Sequence, residues 1–429
     1  MAMNIIIQPG EADYKSLVQR PQMPKADMDE VIGEVFRLIA EKGDQGLKEL
    51  TKKFDKTDIS SIKLDRSDLQ KAYESLDPIL RDAILGAKTN IEKFHTAQLP
   101  QQVKVTTMQG VECVQKAVPI ERVGIYIPGG TAPLFSTILM LAIPAKIAGC
   151  SQVVLCSPPT YNGKIHPAIL AAAYICDIDE VMQVGGSQAI AAMALGTETI
   201  GKVSKICGPG NQYVTAAKEK AQQFGVAIDM PAGPSEVLVY AGEDCVPKFV
   251  AIDLLSQAEH GADSQVVCVA PDVAIAKAIL EEVDLLVAEL PRKDMAVAAL
   301  ANSFIIVEKD LDKAFAYINA YAPEHLIIAS DHAGVLAERV VNAGSVFLGN
   351  WCPESVGDYA SGTNHTLPTY GWAKSYNGVN VDTFMRKITF QTVTREGLVN
   401  LAGLVVPMAK AEQLQAHANA VKIRLEHIK

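Results

Sequence analysis

Apolar positions along the chain follow two different periods, and the change between them falls near residue 121. Before it, polar stretches carry apolar residues at helical spacing: Asp27 to Glu41 sets Val31, Ile32, Val35, Phe36 and Ile39 on one face. Leu80 to Phe94 repeats the pattern with Leu80, Ile84, Leu85, Ile91 and Phe94. Short β-branched runs between Val103 and Ala117 predict a hairpin. After residue 121, short and mostly apolar runs (123–127, 153–156, 181–184, 203–206) alternate with helical segments. A strand without a polar face is buried on both sides, as in a parallel sheet between helices. A second series follows, with strand-like runs at 236–240, 265–269, 304–307, 326–329 and 345–348. The pattern predicts an α/β fold of two Rossmann-like, doubly wound modules. It leaves open whether the N-terminal helices share the second sheet. Beyond Gly349 a Gly-, Ser- and Tyr-rich loop runs to about Asn380, then a short strand-like stretch. A final helix is expected from Pro407 to Lys429, docked on a neighbour in the same chain or another subunit.

The 429 residues exceed the roughly 250–300 that one core organises, which agrees with more than one domain. With 39 basic against 49 acidic side chains the formal net charge is -10. No basic run of five exists, so a broad nucleic-acid or acidic-lipid surface is not expected. Eight cysteines are scattered without a CxxC pair, which argues against a zinc ribbon and fits a reducing, cytoplasmic compartment. The N-terminus has no signal pattern, and the longest apolar stretch, Phe135 to Cys150, is interrupted by Pro144 and Lys146.

Candidate chemistry begins with two absences, the P-loop and the GxGxxG fingerprint. Glycine turns do follow strands at Pro128-Gly-Gly130, Gly185-Gly-Ser187 and Gly208-Pro-Gly-Asn211. Ligands sit beyond the carboxyl ends of strands in open sheets, so three such turns on one module suggest a nucleotide edge, with plain turn chemistry as the alternative. Gln257 and His260 are three apart on one helix face. The loop Pro353 to His365 offers Asp358 and His365 among glycines, and the terminal helix carries Glu412 and His417. In Tyr321-Ala-Pro-Glu-His-Leu326, Glu324 and His325 place two proton acceptors at a turn opening into a strand.

Together these segments closely resemble the histidinol dehydrogenase family. The matching stretches are Glu121-Arg-Val-Gly, Tyr126-Ile-Pro-Gly-Gly130, Gly208 to Asn211, Asp229 to Glu236, Asp253 to His260, Pro323 to Leu326, Ala343 to Gly349 and Gly357 to His365. The likeness runs from about residue 25 to the C-terminus. The resemblance implies NAD-dependent oxidation of L-histidinol to L-histidine through L-histidinal, with four electrons removed. It implies one zinc per subunit on Gln257, His260, Asp358 and His417, the last from the partner of a homodimer. By the same likeness Glu324 and His325 are the acid/base pair, and Tyr126, Gln188 and Asn211 contact NAD. Substrate contacts fall on Ser235, Gln257, His260, His325, Asp358, His365, Glu412 and His417. The NAD module would span 126–236, inserted in a larger domain of 26–125 and 237–379. Segments 1–25 and 380–429 would make the dimer contacts.

Those residue types suit the reaction. Hydride leaves a carbon as its hydroxyl loses a proton, so an imidazole near neutral pKa serves, and His325 fits. The aldehyde must then add water, and Glu324 fits as the acceptor of a water proton. Competing expectations are a zinc hydrolase with no need of NAD, a non-catalytic metal- or metabolite-binding protein, and a cysteine-dependent aldehyde dehydrogenase. None of the cysteines has a clear activating neighbour.

Overall fold

The computed structural model describes residues 3–20, 26–129, 132–178, 180–231 and 233–428. Gly130 of the first glycine turn and parts of the 1–25 segment lie outside the described residues. Strand β1 (Asn4–Ile7) and helix α1 (Glu11–Leu17) are followed by α2 (Ala26–Phe54), α3 (Arg66–Glu74) and α4 (Pro78–Thr96). The expected hairpin forms as β2 (Val103–Met108) and β3 (Val111–Pro119).

The first βα series runs β4 (Arg122–Tyr126), α5 (Ser136–Ala148), β5 (Gln152–Cys156), α6 (Pro167–Ile175), β6 (Glu180–Met182), α7 (Gly186–Leu195), β7 (Lys205–Cys207), α8 (Gln212–Ala221) and β8 (Ala227–Ile228). Its strands lie in the order β6-β5-β4-β7-β8, all parallel. The apolar stretch from Phe135 becomes α5, a core helix with Ile138 to Ala145 buried all round. No helix among the described residues is long and apolar enough to cross a membrane. The N-terminal helices cover this first sheet: α2 packs on α7 and α8, α3 on α6, and α4 on α5. Ile32, Val35, Phe36 and Ile39, of the face read from their spacing, close the core over Val154, Met182 and Ile190, while Val31 stays exposed.

The second series runs β9 (Glu236–Ala241), α9 (Pro247–Ala258), β10 (Gln265–Ala270), α10 (Val273–Val287), α11 (Lys293–Leu300), β11 (Phe304–Val307), α12 (Leu311–Tyr321), β12 (His325–Ala329), α13 (Ala333–Leu336) and β13 (Ser345–Leu348). Its order is β1-β11-β10-β9-β12-β13, also parallel. Without the added β1, the series crosses over as the first one does, so the two modules share a doubly wound topology. Helices α9 to α11 bury one face, and α12 with Tyr14 and Leu17 of α1 buries the other.

The C-terminal region corrects two expectations. The loop after Gly349 contains a short helix, α14 (Glu354–Tyr359). The final helix is two, α15 (Arg395–Ala411) and α16 (Gln415–Glu426), and Pro407 lies inside the first rather than opening it. Thr394 starts α15 by accepting from the Gly397 amide, and the break falls where Gln413 turns left-handed at φ 61. Before them β14 (Met385–Val393) pairs antiparallel with β3, in a three-stranded sheet of order β14-β3-β2. Ile388, Phe390, Leu404, Met408 and Ile423 of this region are exposed.

Candidate active site

A cleft forms where the two modules face each other, and each offers a different edge. From the first come the residues after strands β4 and β7: Leu134, Ser136, Thr137 and Pro209. Gly233 and Ser235 line it from the connection into β9. From the second come Glu324 and His325, at the amino end of β12, and Gln257 and His260, at the carboxyl end of α9. Helix α9 returns antiparallel to its strands, so its last turn arrives at their amino ends. Asp358, His365 and Thr366 complete the wall.

The turn into β12 is set by local backbone. Ala322 caps α12 in the left-handed region at φ 52, and Pro323 then restricts the entry to the strand. Both Glu324 and His325 end up buried, at 6% and 3% exposure, although neighbours on a strand ordinarily point apart. Glu324 Oε2 lies 3.6 Å from His325 Nδ1. The same oxygen accepts the Glu236 amide at 2.9 Å, while the Glu324 amide donates to Glu236 Oε1 at 3.3 Å.

Glu354, which the sequence reading passed over, stands in the middle of this network. It is 1% exposed at the start of α14, and its Oε1 accepts from Gln257 Nε2 at 2.6 Å. That amide nitrogen also lies 3.0 Å from His325 Nδ1. With its nitrogen so engaged, Gln257 turns Oε1 away, and this oxygen has no hydrogen-bond partner. Asp358 Oδ1, His325 Nε2 and Glu354 Oε2 are likewise buried without hydrogen bonds, the first two standing 3.4 Å apart in poor alignment. Ligand atoms of His325, Glu354 and Asp358 all lie within 4.8 Å of one another. Orphaned buried oxygens and nitrogens are costly, and a cation among them removes that cost. The donor set therefore fits a metal ion.

Charge follows from this crowding. Burial opposes a positive His325, but the carboxylates of Glu354, Glu324 and Asp358 outweigh it and hold the imidazole well above its ordinary value. Burial raises the carboxyls of Glu324 and Glu354. It acts the same way on Asp358, where the His325 contact wins and keeps the group ionised below the usual range. His365 donates from Nδ1 to the Asp358 carbonyl at 2.7 Å, since a carbonyl only accepts. Its Nε2 is then the lone-pair nitrogen, 3.0 Å from the Thr137 hydroxyl.

Of the candidate residues, the cleft gathers Ser235, Gln257, His260, Glu324, His325, Asp358 and His365. It is not lined by Glu412 or His417, which are exposed on the C-terminal region. The candidates for NAD lie along the carboxyl edge of the first sheet. Tyr126 is buried and its hydroxyl accepts the Gly186 amide at 3.0 Å, Gln188 is buried against Asp55, and Asn211 caps α8 by accepting from Val214. Gly208 runs at φ 133 directly over the Tyr126 carbonyl, where a Cβ would collide.

Comparison with known proteins agrees with this geometry. Residues 18–425 match the family model for histidinol dehydrogenase. A histidinol dehydrogenase of Bacteroides thetaiotaomicron is 51% identical over 427 residues, covering 100% of both chains. One from Vibrio parahaemolyticus is 49% identical over 97% of each chain. The crystal structure of histidinol dehydrogenase from Elizabethkingia anophelis superposes with a TM-score of 0.97 at 50% identity, covering 99% of this chain and 98% of that one.

Proposed function

The chain belongs to the histidinol dehydrogenase family, and we propose on that premise how its residues divide the reaction. The protein is an NAD-dependent oxidoreductase that oxidises histidinol in histidine biosynthesis. Bound NAD supplies the hydride acceptor for both oxidations. The carboxylates that hold His325 protonated would be offset by a bound cation, and the neutral imidazole then takes the proton of the histidinol hydroxyl as the first hydride leaves the carbon. Water then adds to the aldehyde carbon while Glu324 accepts one of its protons, and the hydrate releases the second hydride to leave the carboxylic acid. Wedged together in one buried turn, the two side chains reach the same substrate carbon in succession. The observation that carries this reading is the 3.6 Å Glu324–His325 pair at the floor of the cleft.

Gln257, His260 and Asp358, with His417 of a second subunit, hold one zinc per subunit in this reading. The ion, when bound, would supply a positive charge and, by expanding its shell beyond the four protein ligands, an anchor for the amine and imidazole nitrogens of histidinol. The unpartnered Gln257 Oε1 and Asp358 Oδ1 support these two as ligands. Ser235, His365 and the partner's Glu412 orient the substrate, and Tyr126, Gln188 and Asn211 contact NAD. The chain works as a homodimer with shared sites; the exposed apolar residues around β14 and α15, and a cleft lacking Glu412 and His417 of its own, support this. Segments 1–25 and 380–429 make the dimer contacts, with 126–236 as the NAD domain and 26–125 with 237–379 as the larger one. Eight unpaired cysteines support a cytoplasmic location.

The test is stoichiometric. NADH is counted per histidinol consumed, before and after a chelator. Two NADH per histidinol and loss of turnover on chelation are expected, with turnover restored by added zinc. A single NADH, or full activity without metal, contradicts the reading.

A further inference from the structure

Behind Glu324 lies a buried ion pair that the reaction does not itself require. Arg20, from the segment after α1, grips Glu236 with two parallel hydrogen bonds, Nε to Oε2 at 2.9 Å and Nη2 to Oε1 at 2.8 Å. Its side chain is 5% exposed and that of Glu236 1%. Nη2 also donates to the Tyr321 carbonyl at 2.8 Å and Nη1 to the Val18 carbonyl at 2.7 Å, and the guanidinium stacks 3.5 Å from the Tyr321 ring centre. Tyr321 is fixed in turn, its hydroxyl donating to Gln265 Oε1 at 2.9 Å. A planar fork held on every side is a rigid support.

The support matters because of what Glu236 does on its other side. Residues 236 and 324 exchange hydrogen bonds, each amide donating to the other's carboxylate. Glu236 thus carries a negative charge next to the Glu324 carboxylate, and Arg20 neutralises it. Removing Arg20 leaves a buried, uncompensated charge at that spot, which repels Glu324 and loosens the reciprocal pair.

We propose that Arg20 is a positioning residue for the second oxidation: acting through Glu236, it holds the Glu324 carboxylate where it meets the water that adds to the aldehyde. The first oxidation depends on His325, which meets Glu236 only at its backbone carbonyl, 3.3 Å from Nδ1, and not at the carboxylate that Arg20 holds. The inference rests on the role given to Glu324 above, and the experiment separates the two.

The full-length, zinc-loaded enzyme is assayed in two halves, with NADH formed from histidinol in the presence of an aldehyde trap and NADH formed from histidinal supplied directly. Arg20→Met should slow the histidinal half roughly 30-fold and the histidinol half no more than about threefold, in the range that small misplacements of a catalytic group produce. Adding Glu236→Gln to Arg20→Met removes the orphaned charge and keeps an acceptor for the Glu324 amide, so it should restore most of the histidinal half. Equal losses in both halves, or no recovery in the double variant, overturn the inference. Arg20→Lys keeps the charge without the fork and should give a smaller deficit with the same selectivity; if Arg20→Met does not fold, a non-selective Arg20→Lys overturns the inference alone. Glu324→Gln run in parallel distinguishes the failures. If it is selective and the Arg20 variants are not, Arg20 has no such role; if it is not selective, the role of Glu324 falls first.

Discussion

In the first sheet the chain leaves β4 and β7 at Tyr126 and Cys207 into glycine- and proline-bearing turns, whereas in the second it enters β9 and β12 at Glu236 and His325. Both sheets are parallel and wind in the same order, yet one meets the cleft with its carboxyl edge and the other with its amino edge. At the first edge the backbone lies close, with Gly208 passing over Tyr126 and held there by the buried Lys218–Asp229 pair. At the second, Glu236, Gln265, Ser303, Glu324 and His325 form a buried polar row. A carboxyl edge offers amides and helix starts, which suit a phosphate-bearing ligand. An amino edge has no such field, so its chemistry is carried by side chains that must hold one another in place. Duplicated topology therefore does not imply duplicated function.

The contrast can be sharpened on the amino-edge side first. Glu354→Ala should free the Gln257 amide to rotate and weaken zinc retention about 10- to 100-fold, the usual range for a residue that orients a metal ligand. Competition with a fluorescent chelator measures it, and unchanged affinity would deny Glu354 that role. On the carboxyl edge, Gly208→Ala should act on NAD alone, raising its KM roughly five- to tenfold with zinc content unchanged, because a strained turn moves without touching the metal residues. Loss of metal in that variant would mean that the two edges are not separate.

The smallest effect concerns stability. Burial lifts the Asp253 carboxyl on α9 to about 7. The folded chain therefore binds this proton more tightly than the unfolded chain does. Its contribution is fully present below the ordinary carboxylate pKa and is lost as pH rises toward 7. Asp253→Asn should raise Tm at pH 8 by on the order of 2–4 °C and leave it unchanged at pH 4, as scanning calorimetry at both pH values would record. An equal shift at both would argue against a buried, protonated Asp253.

Much of this was legible in the residues. Val123 to Ile127 and Val153 to Cys156 are apolar throughout because both faces of β4 and β5 are covered, and that pattern survives without tertiary information. The Glu324–His325 turn announced itself through Pro323. Glu354 did not, since the sequence places it in a glycine- and serine-rich loop, where a lone carboxylate reads as solvated. Only the fold over Gln257 buries it. Arg20 was equally silent, a lone arginine in a polar segment whose partner lies 216 positions away. Pro407 misled for a local reason: its appearance suggested a helix start, while Thr394 had already supplied one. His417 is exposed and does not line its own chain's cleft, so the role proposed for it is one a second subunit would complete.

The division of labour between His325 and Glu324 is tested most directly by following a single turnover of Glu324→Gln enzyme with histidinol. One NADH per active site should form at a rate close to that of the unaltered enzyme, with histidinal accumulating and the second NADH delayed by on the order of 100-fold, as expected for loss of one acid–base group. Formation of both NADH equivalents with the same slowing, and no histidinal detected, would contradict the account.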